Sequence, residues 1–296
     1  MGPEAGSDDS LTVFEDALFS LFDQPVIAFS APPGAACYTF RHAALAGREL
    51  ELALPSPPAG LNSLQAQYIW PSSLLLADLL LRNSGEIVLR PGQTVVELGA
   101  GAGLGGLLAA VCLERTGRGT VISTDWGDAA ILAALEDNYR RNLVPSDGST
   151  SSVRWAVVDH RWGEDVEPIF TQLAAPGRPP RIDHLLLCDL LYYSAAHADL
   201  LKSVLALLRR SDDDTEPRPK AHIAAGLHGG TSSAVERFIA LAEAAGCSIV
   251  PHGIFCWNAR DELWREVDPR TEALTEGMVW RGTLQAGSVG GHESFS

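Results

Sequence analysis

The chain is short of basic residues. Its 22 Lys and Arg face 37 Asp and Glu, a formal net charge of −15. That balance argues against a general nucleic-acid binder, because phosphate contacts need clustered cations. It suits a small-molecule substrate or a basic peptide partner, and it also serves solubility. The five cysteines, Cys37, Cys112, Cys188, Cys247 and Cys256, include no CxxC pair. An odd, scattered set argues against a disulfide framework and a zinc site, and points to a reducing compartment. Cys112 and Cys188 sit in apolar runs and read as small buried hydrophobes. No apolar run approaches the ~20 residues that span a bilayer. The N-terminus, MGPEAGSDDS, is acidic and polar, unlike a signal peptide. Gly2 and Ser7 loosely fit a myristoylation pattern, but the serine is one place late and Pro3 is unfavourable. A cytoplasmic location is expected, with the nucleus also open, and no membrane partner.

What is present is an alternation. Hydrophobic residues make up 46% of 296, enough to bury a sizeable core. "RELELAL" alternates charged and apolar residues and forms the second arm of a hairpin around Ala46-Gly47. "SSLLLADLLLRN" reads as a helix with Ser72 or Ser73 as N-cap. Then come strand "TVVELG", helix "LGGLLAAVCLERTG" closed by Gly117, strand "GTVISTD" and helix "AAILAALEDNYRRN". Strands "SVRWAVVD" and "IDHLLLCDLLY" follow, then helix "AHADLLKSVLALLRR", strand "KAHIAAGL" and helix "SSAVERFIALAEAAG". Near-continuous apolar strands separated by long helices predict a parallel sheet covered on both faces. "CSIVPHGIF" and "EGMVWRGTLQ" predict an antiparallel pair at the end. Residues 1–10 read as a disordered tail, 11–66 as an extension carrying the hairpin, 67–285 as the main domain and 286–296 as a C-terminal tail. "PSDGSTSS", "AAPGRPPR" and "SDDDTEPRPK" are loops between elements, and there is no internal repeat.

The segment "TVVELGAGAGLGG" (94–106) joins a strand to a helix through repeated glycine. Glycine lets a ligand approach the backbone, and the helix N-terminus offers free N–H groups. Read from Gly101 it is GxGxxG, a dinucleotide fingerprint. Read from Glu97 it resembles the first motif of S-adenosylmethionine-dependent methyltransferases. A carboxylate two residues before Gly99 would repel a pyrophosphate, whereas a cationic methionine amine and sulfonium tolerate it. Asp125, ending the next strand, can bind both ribose hydroxyls in either reading. The antiparallel ending does not suit the six-parallel-strand dinucleotide fold.

Several stretches together resemble methyltransferase family 16, seven-strand enzymes that include protein-lysine methyltransferases. The nearest likeness is to fungal members known as nicotinamide N-methyltransferase-like proteins. The stretches are "YIWPSSLLLADLL" (68–80), "VVELGAGAGLGGLLAA" (95–110), "VISTDWGDAAILAALEDNYRRN" (121–142), "RWGED" (161–165) and "LLLCDLLYY" (185–193). They imply a Rossmann-like, seven-stranded class I methyltransferase fold. The sheet would be mostly parallel with an antiparallel C-terminal pair, plus the N-terminal β-hairpin. They also imply S-adenosyl-L-methionine as cofactor and no metal. The family motif (D/E)xx(Y/F) falls on Asp189 to Tyr192, which become the candidate catalytic pair. An acid at the end of a central strand lies in the crevice where α/β sheets bind ligands. It can orient an amine and receive its proton. The bland alternative is that Asp189 caps the following helix.

The implied cofactor set is Trp70, Glu97, Gly99, Ala100, Gly101, Gly103, Asp125, Trp126, Asp159, Trp162 and Cys188. Asp125 would hold the ribose and Trp126 would pack on the adenine. "DHRWG" departs from the family's direct Asp-Trp-Gly, so either Asp159 or the backbone around Trp162 takes the adenine amine. His228, just past the strand "KAHIAAGL", reads as a solvated loop histidine, or, if the topology places it at the active-site end, as the basic or aromatic residue near the substrate that the resemblance implies there; His184 and His222 are expected as structural. The implied reaction is N-methylation of a protein lysine or N-terminal amine by a monomer. The alternatives are a small-molecule N-methyltransferase acting on nicotinamide or a similar pyridine, a non-catalytic binding module, and, remotely, a dehydrogenase.

Overall fold

The computed structural model describes residues 29–32, 35–55, 65–82, 87–143, 151–174, 180–211, 217–258 and 263–287. The proposed tail 1–10 and all but the first two residues of 286–296 lie outside them. A hairpin of β1 (Tyr38–Phe40) and β2 (Leu50–Leu52) precedes the main sheet, as the alternation in "RELELAL" predicts. Helices α1 (Pro71–Arg82), α2 (Leu104–Thr116) and α3 (Ala129–Leu143) alternate with β3 (Thr94–Leu98), β4 (Gly119–Asp125) and β5 (Val153–Asp159). Then follow α4 (Glu167–Leu173), β6 (His184–Cys188), α5 (His197–Ser211), β7 (Lys220–Gly226) and α6 (Ser233–Ala244). The chain closes with β8 (Ser248–Asn258), β9 (Leu263–Val267) and β10 (Val279–Gln285).

The strands form one sheet in the order β5-β4-β3-β6-β7-β10-β8-β9. Strands β3 to β7 pair in parallel, and β10 runs antiparallel to both neighbours. The expected architecture is present with one addition. β9 extends the edge beyond the expected seven strands, pairing Trp264 opposite Trp257 on β8. "LWREV" is neither a continuous apolar run nor a clean alternation, and the pairing with β8 supplies what periodicity does not.

Side chains alternate across the sheet. Val95, Val121 and Leu186 face α1, α2 and α3; Val96, Ile122, Leu185 and Leu187 face α4, α5 and α6. The hairpin caps the first face through Phe40, Leu50 and Leu52. Helix α1 starts differently from expectation: Pro71 is its first residue, and the Trp70 carbonyl accepts from the Ser73 and Leu74 amides. Proline suits that position because its missing N–H would be unpaired anyway. Ser72 is therefore inside the helix and buried. Gly117 closes α2 as expected, at φ +101°, donating to the Glu114 and Leu113 carbonyls.

His184 and His222, on adjacent strands, are buried and hydrogen-bonded to each other (Nδ1 to Nε2, 3.0 Å). Burial pushes His184 down to about 4, and the Asp183 charge only partly opposes this. His222 is held well below its ordinary value by burial, then by His184, Arg281 and Lys220 nearby. Both rings are neutral in the fold, so below the unfolded-state value of about 6.5 the unfolded chain binds more protons than the native one. Stability should be lost as pH falls from there towards 4. Glu97 and Asp125 titrate high and give the opposite slope between their unfolded and folded values. The measurement is therefore a difference. His184→Gln should recover about 3 kcal/mol of the acid-side loss relative to wild type, in denaturant melts at pH 7 and near pH 4. Identical losses in both proteins would refute the assignment.

Candidate functional site

The site forms where the parallel strands end. The loop after β3 turns through Gly99, Gly101 and Gly103 with φ of +58°, +54° and +80°. Its fold is fixed from inside. The Ala100 amide donates to the Thr124 carbonyl (2.9 Å) and the Gly101 amide to Asp125 Oδ2 (2.6 Å). Gly103, the residue before α2, has left-handed backbone that other residues rarely adopt. The Trp162 ring and Leu190 lie against Gly99: a Cβ there would come within 3.2 Å and 2.6 Å of them.

Glu97 is placed otherwise than a ligand-facing carboxylate. It is 1% exposed, tucked under the first turn of α2. Its Oε2 accepts from the Gly106 amide (2.9 Å) and the Ser123 hydroxyl (3.0 Å), and Ser123 bonds the Tyr139 hydroxyl (2.7 Å). Burial raises it to about 7, against the hydrogen bonds from Gly106 and Ser123. Glu97 thus shapes the loop from beneath. Cys188 lies beside it, under Gly105, and burial followed by the Glu97 charge keeps it a thiol.

Asp125 ends β4 with one amide on each carboxylate oxygen, Gly101 on Oδ2 and Trp126 on Oδ1 (2.7 Å). Burial raises it to about 6, opposed by those two hydrogen bonds. Each oxygen retains a lone pair for a further donor. Asp159 stands beside it in register on β5, its carboxylate against Gly127. Trp126 remains 38% exposed, with the Arg161 guanidinium 3.9 Å from its ring centroid. The residues His160 and Arg161 thus have separate places. His160 turns inward to the Ser203 hydroxyl (3.0 Å), while Arg161 stays outside on Trp126.

Asp189 follows β6 and holds the unusual position. Its φ is +60°, uncommon for any residue but glycine, although Asp and Asn tolerate it better than most. It is 4% exposed. Its Oδ1 accepts from the Gly226 amide (3.0 Å) and from His228 Nε2 (2.9 Å). Its Oδ2 is buried without a partner among the described residues. A buried carboxylate oxygen left unpaired costs free energy, and such costs concentrate where a ligand will supply the donor. Asp189 does not cap the helix that follows, since Tyr193 and a short 3-10 turn intervene.

Around Asp189 the rings meet edge to face. Trp70 lies 5.3 Å and Tyr192 6.0 Å from His228, and Tyr68 lies 5.8 Å from Trp70. The Trp70 indole is tied down by its N–H donating to the Gln65 carbonyl (3.2 Å). Burial, then the Asp189 charge, raises Tyr192, so it stays a phenol. Asp189, Tyr192 and Trp70 therefore come together as expected. Of the two readings of His228, the structure agrees with the place at the active-site end and not with a solvated loop residue. It is largely covered and joined to Asp189. The signal was its place just after β7, at the same sheet edge as Asp189 and Asp125. Tyr68, Ser123 and Tyr139 also belong to the site and its support; they lie within the stretches that carry the resemblance, but nothing there singled them out.

No group of three or more His, Cys, Asp or Glu among the described residues could hold a metal. No helix among them is long and apolar enough to cross a membrane.

Residues 59–214 match a family model described as lysine methyltransferase. The protein N-terminal and lysine N-methyltransferase efm7 of Emericella nidulans is 26% identical over 239 residues, 79% of this chain and 83% of that protein. Its Cryptococcus neoformans counterpart is 32% identical over 152 residues, 51% of this chain and 46% of that protein. Among solved structures, an Aquifex aeolicus SAM-dependent methyltransferase is 16% identical with a TM-score of 0.42, covering 72% of this chain and 93% of its own.

Proposed function

Since this chain belongs to the lysine methyltransferase family, we propose that it methylates a protein amine, a lysine side chain or an N-terminus, with S-adenosylmethionine as donor. The observation that carries the reading is Asp189: buried, held at positive φ, and with one carboxylate oxygen unpaired beside Tyr192 and Trp70.

The residues fit the donor. Asp125 has a lone pair on each oxygen for the two ribose hydroxyls. The strand ends carry Asp125, Asp159 and Asp189, and Arg161 is engaged with Trp126. That edge welcomes a sulfonium and an amine and offers little to a pyrophosphate. Because Glu97 lies beneath the loop, the aspartates alone set this preference for a cation. Gly99, Ala100, Gly101 and Gly103 would cradle the methionine part, and Trp126, Asp159 and Trp162 would border the adenine.

When bound, S-adenosylmethionine supplies an electrophilic methyl group on sulfonium. The chain's own work is to present the amine. Asp189 Oδ2 accepts from the amine and takes its proton, directly or through water, freeing the nitrogen lone pair. Tyr192, kept protonated, donates or packs against it. Trp70 closes one side and excludes water. The N–C bond forms as the S–C bond breaks, and one proton leaves the amine. Correct placement supplies most of the acceleration in such a displacement. The acidic surface favours a basic target region over a neutral one.

The nicotinamide alternative has less support, because the relatives above are named for protein N-termini and lysine. The two are separated by incubating the protein with labelled S-adenosylmethionine and fungal extract, then fractionating. Label on lysine or α-amino nitrogen in the protein fraction, located by mass spectrometry, is expected. Label confined to a pyridine in the small-molecule fraction would replace this reading. Label in neither would favour a binding module.

A further inference from the structure

Resting on the amine-methylation reading, we infer that His228 is a positioning residue: its ring N–H fixes Asp189 Oδ1, leaving Oδ2 for the acceptor. The geometry is specific. Asp189 Oδ1 is held from two sides, by the Gly226 amide at 3.0 Å and by His228 Nε2 at 2.9 Å. Gly226 allows this approach, since a Cβ there would lie 3.0 Å from His228 Nε2 and 3.1 Å from both Asp189 oxygens. The carboxylate cannot rotate without losing both bonds. The His228 ring is in turn set by edge contacts with Trp70 and Tyr192, residues on two other segments of the site. Gly229 and Gly230, at φ +66° and +67°, form the tight turn that returns the chain here.

When the ring is protonated, its charge acts alongside the direction it fixes. A lone buried carboxylate would bind an arriving ammonium tightly and stabilise its charged form. An imidazolium on Oδ1 weakens that stabilisation while leaving the hydrogen bond through which the proton departs. The titratable groups facing His228 are Asp189, Tyr192 and, from the segment before β10, Glu276. Burial lowers the imidazole's proton affinity, but the Asp189 charge and hydrogen bond together outweigh it, with Glu276 assisting, and the net shift is upward.

The test compares wild type, His228→Gln and His228→Leu. Tritiated S-adenosylmethionine is the donor and excess protein of a fungal extract the acceptor pool, from about pH 6 to about pH 10. Glutamine keeps an N–H donor and loses the charge. Its best rate should stay within about tenfold of wild type, while the acid limb of its pH profile moves up by about one unit. Leucine loses both and should be slower by about 100-fold at every pH. Calorimetry should show both variants binding S-adenosylmethionine as wild type does. The inference is overturned if His228→Leu transfers as fast as wild type. It is overturned equally if His228→Gln is slowed with its acid limb unmoved, since a merely structural histidine would do that. If His228→Leu fails to fold, the glutamine profile decides. A wild type that labels no protein removes the underlying reading as well, an outcome distinct from active wild type with indifferent variants.

Discussion

Asp189→Asn is expected to abolish nearly all methyl transfer while the protein stays folded and still binds S-adenosylmethionine. Asparagine has the same shape and is the other residue that tolerates positive φ, so the turn after β6 at φ +60° survives. Its carbonyl oxygen can still accept from the Gly226 amide and His228, as Oδ1 does now. That orientation puts the amide NH₂ where the unpaired Oδ2 lies. A donor then faces the donor of the incoming amine, and nothing there can take its proton. General-base loss alone accounts for about 10²–10⁴ in rate, and reversed hydrogen bonding places the expectation at about 10³, or ~4 kcal/mol of barrier. Asp189→Ala would add backbone strain and confuse the result, because alanine is costly at this φ. Label incorporation into protein measures the rate, and calorimetry with S-adenosylmethionine checks the cofactor site. Transfer within about tenfold of wild type would mean that the carboxylate is not the acceptor-facing group.

How much of this could be read in the amino-acid order depends on where each partner comes from. Strands β3 and β6 were legible because "TVVEL" and "HLLLC" are buried on both faces and need no alternation. The glycine loop, Asp125 and the Asp189–Tyr192 pair were legible because each is a short local pattern at a strand end. The place of His228 near the active-site end was legible too, but its bond to Asp189 was not, because the partner is 39 residues away and only the pairing of β6 with β7 brings the two side by side. Glu97 was found but its direction was not, because spacing gives the sheet face only after register is known. Edge strand β9 escaped for a similar reason: its identity comes from β8, not from its own composition.

The largest expected change in stability comes from Gly106→Ala, a substitution that ordinarily strengthens a helix by about 0.5–1 kcal/mol. Gly106 is in the first turn of α2 with ordinary helical backbone, so conformational freedom is not what it provides. It provides space. A Cβ there would fall within 3.0 Å of Ser123 Oγ, Tyr139 OH and Glu97 Oε2, closer than real Cβ atoms come. Those three groups are buried and bonded in series, with the Gly106 amide at one end of the chain. The sheet lies behind Ser123 and Glu97, and α3 fixes Tyr139, so none can withdraw freely. Overpacking costs about 1–3 kcal/mol. Each buried polar group whose bond is broken costs about 1–3 kcal/mol more. Even after the helix gain, a net loss of about 4 kcal/mol follows, which lowers the melting temperature by about 10 °C for a domain of this size. The same shift would lift the glycine loop off Glu97, so the affinity for S-adenosylmethionine should fall with it. Adding Tyr139→Phe removes the hydroxyl that the methyl group strikes. The double variant should therefore be more stable than the sum of the single changes, a positive coupling measurable in a double-mutant cycle. A Gly106→Ala protein melting within about 2 °C of wild type would show that the network beneath the loop yields freely, and Glu97 could not then be what sets the shape of the cofactor loop.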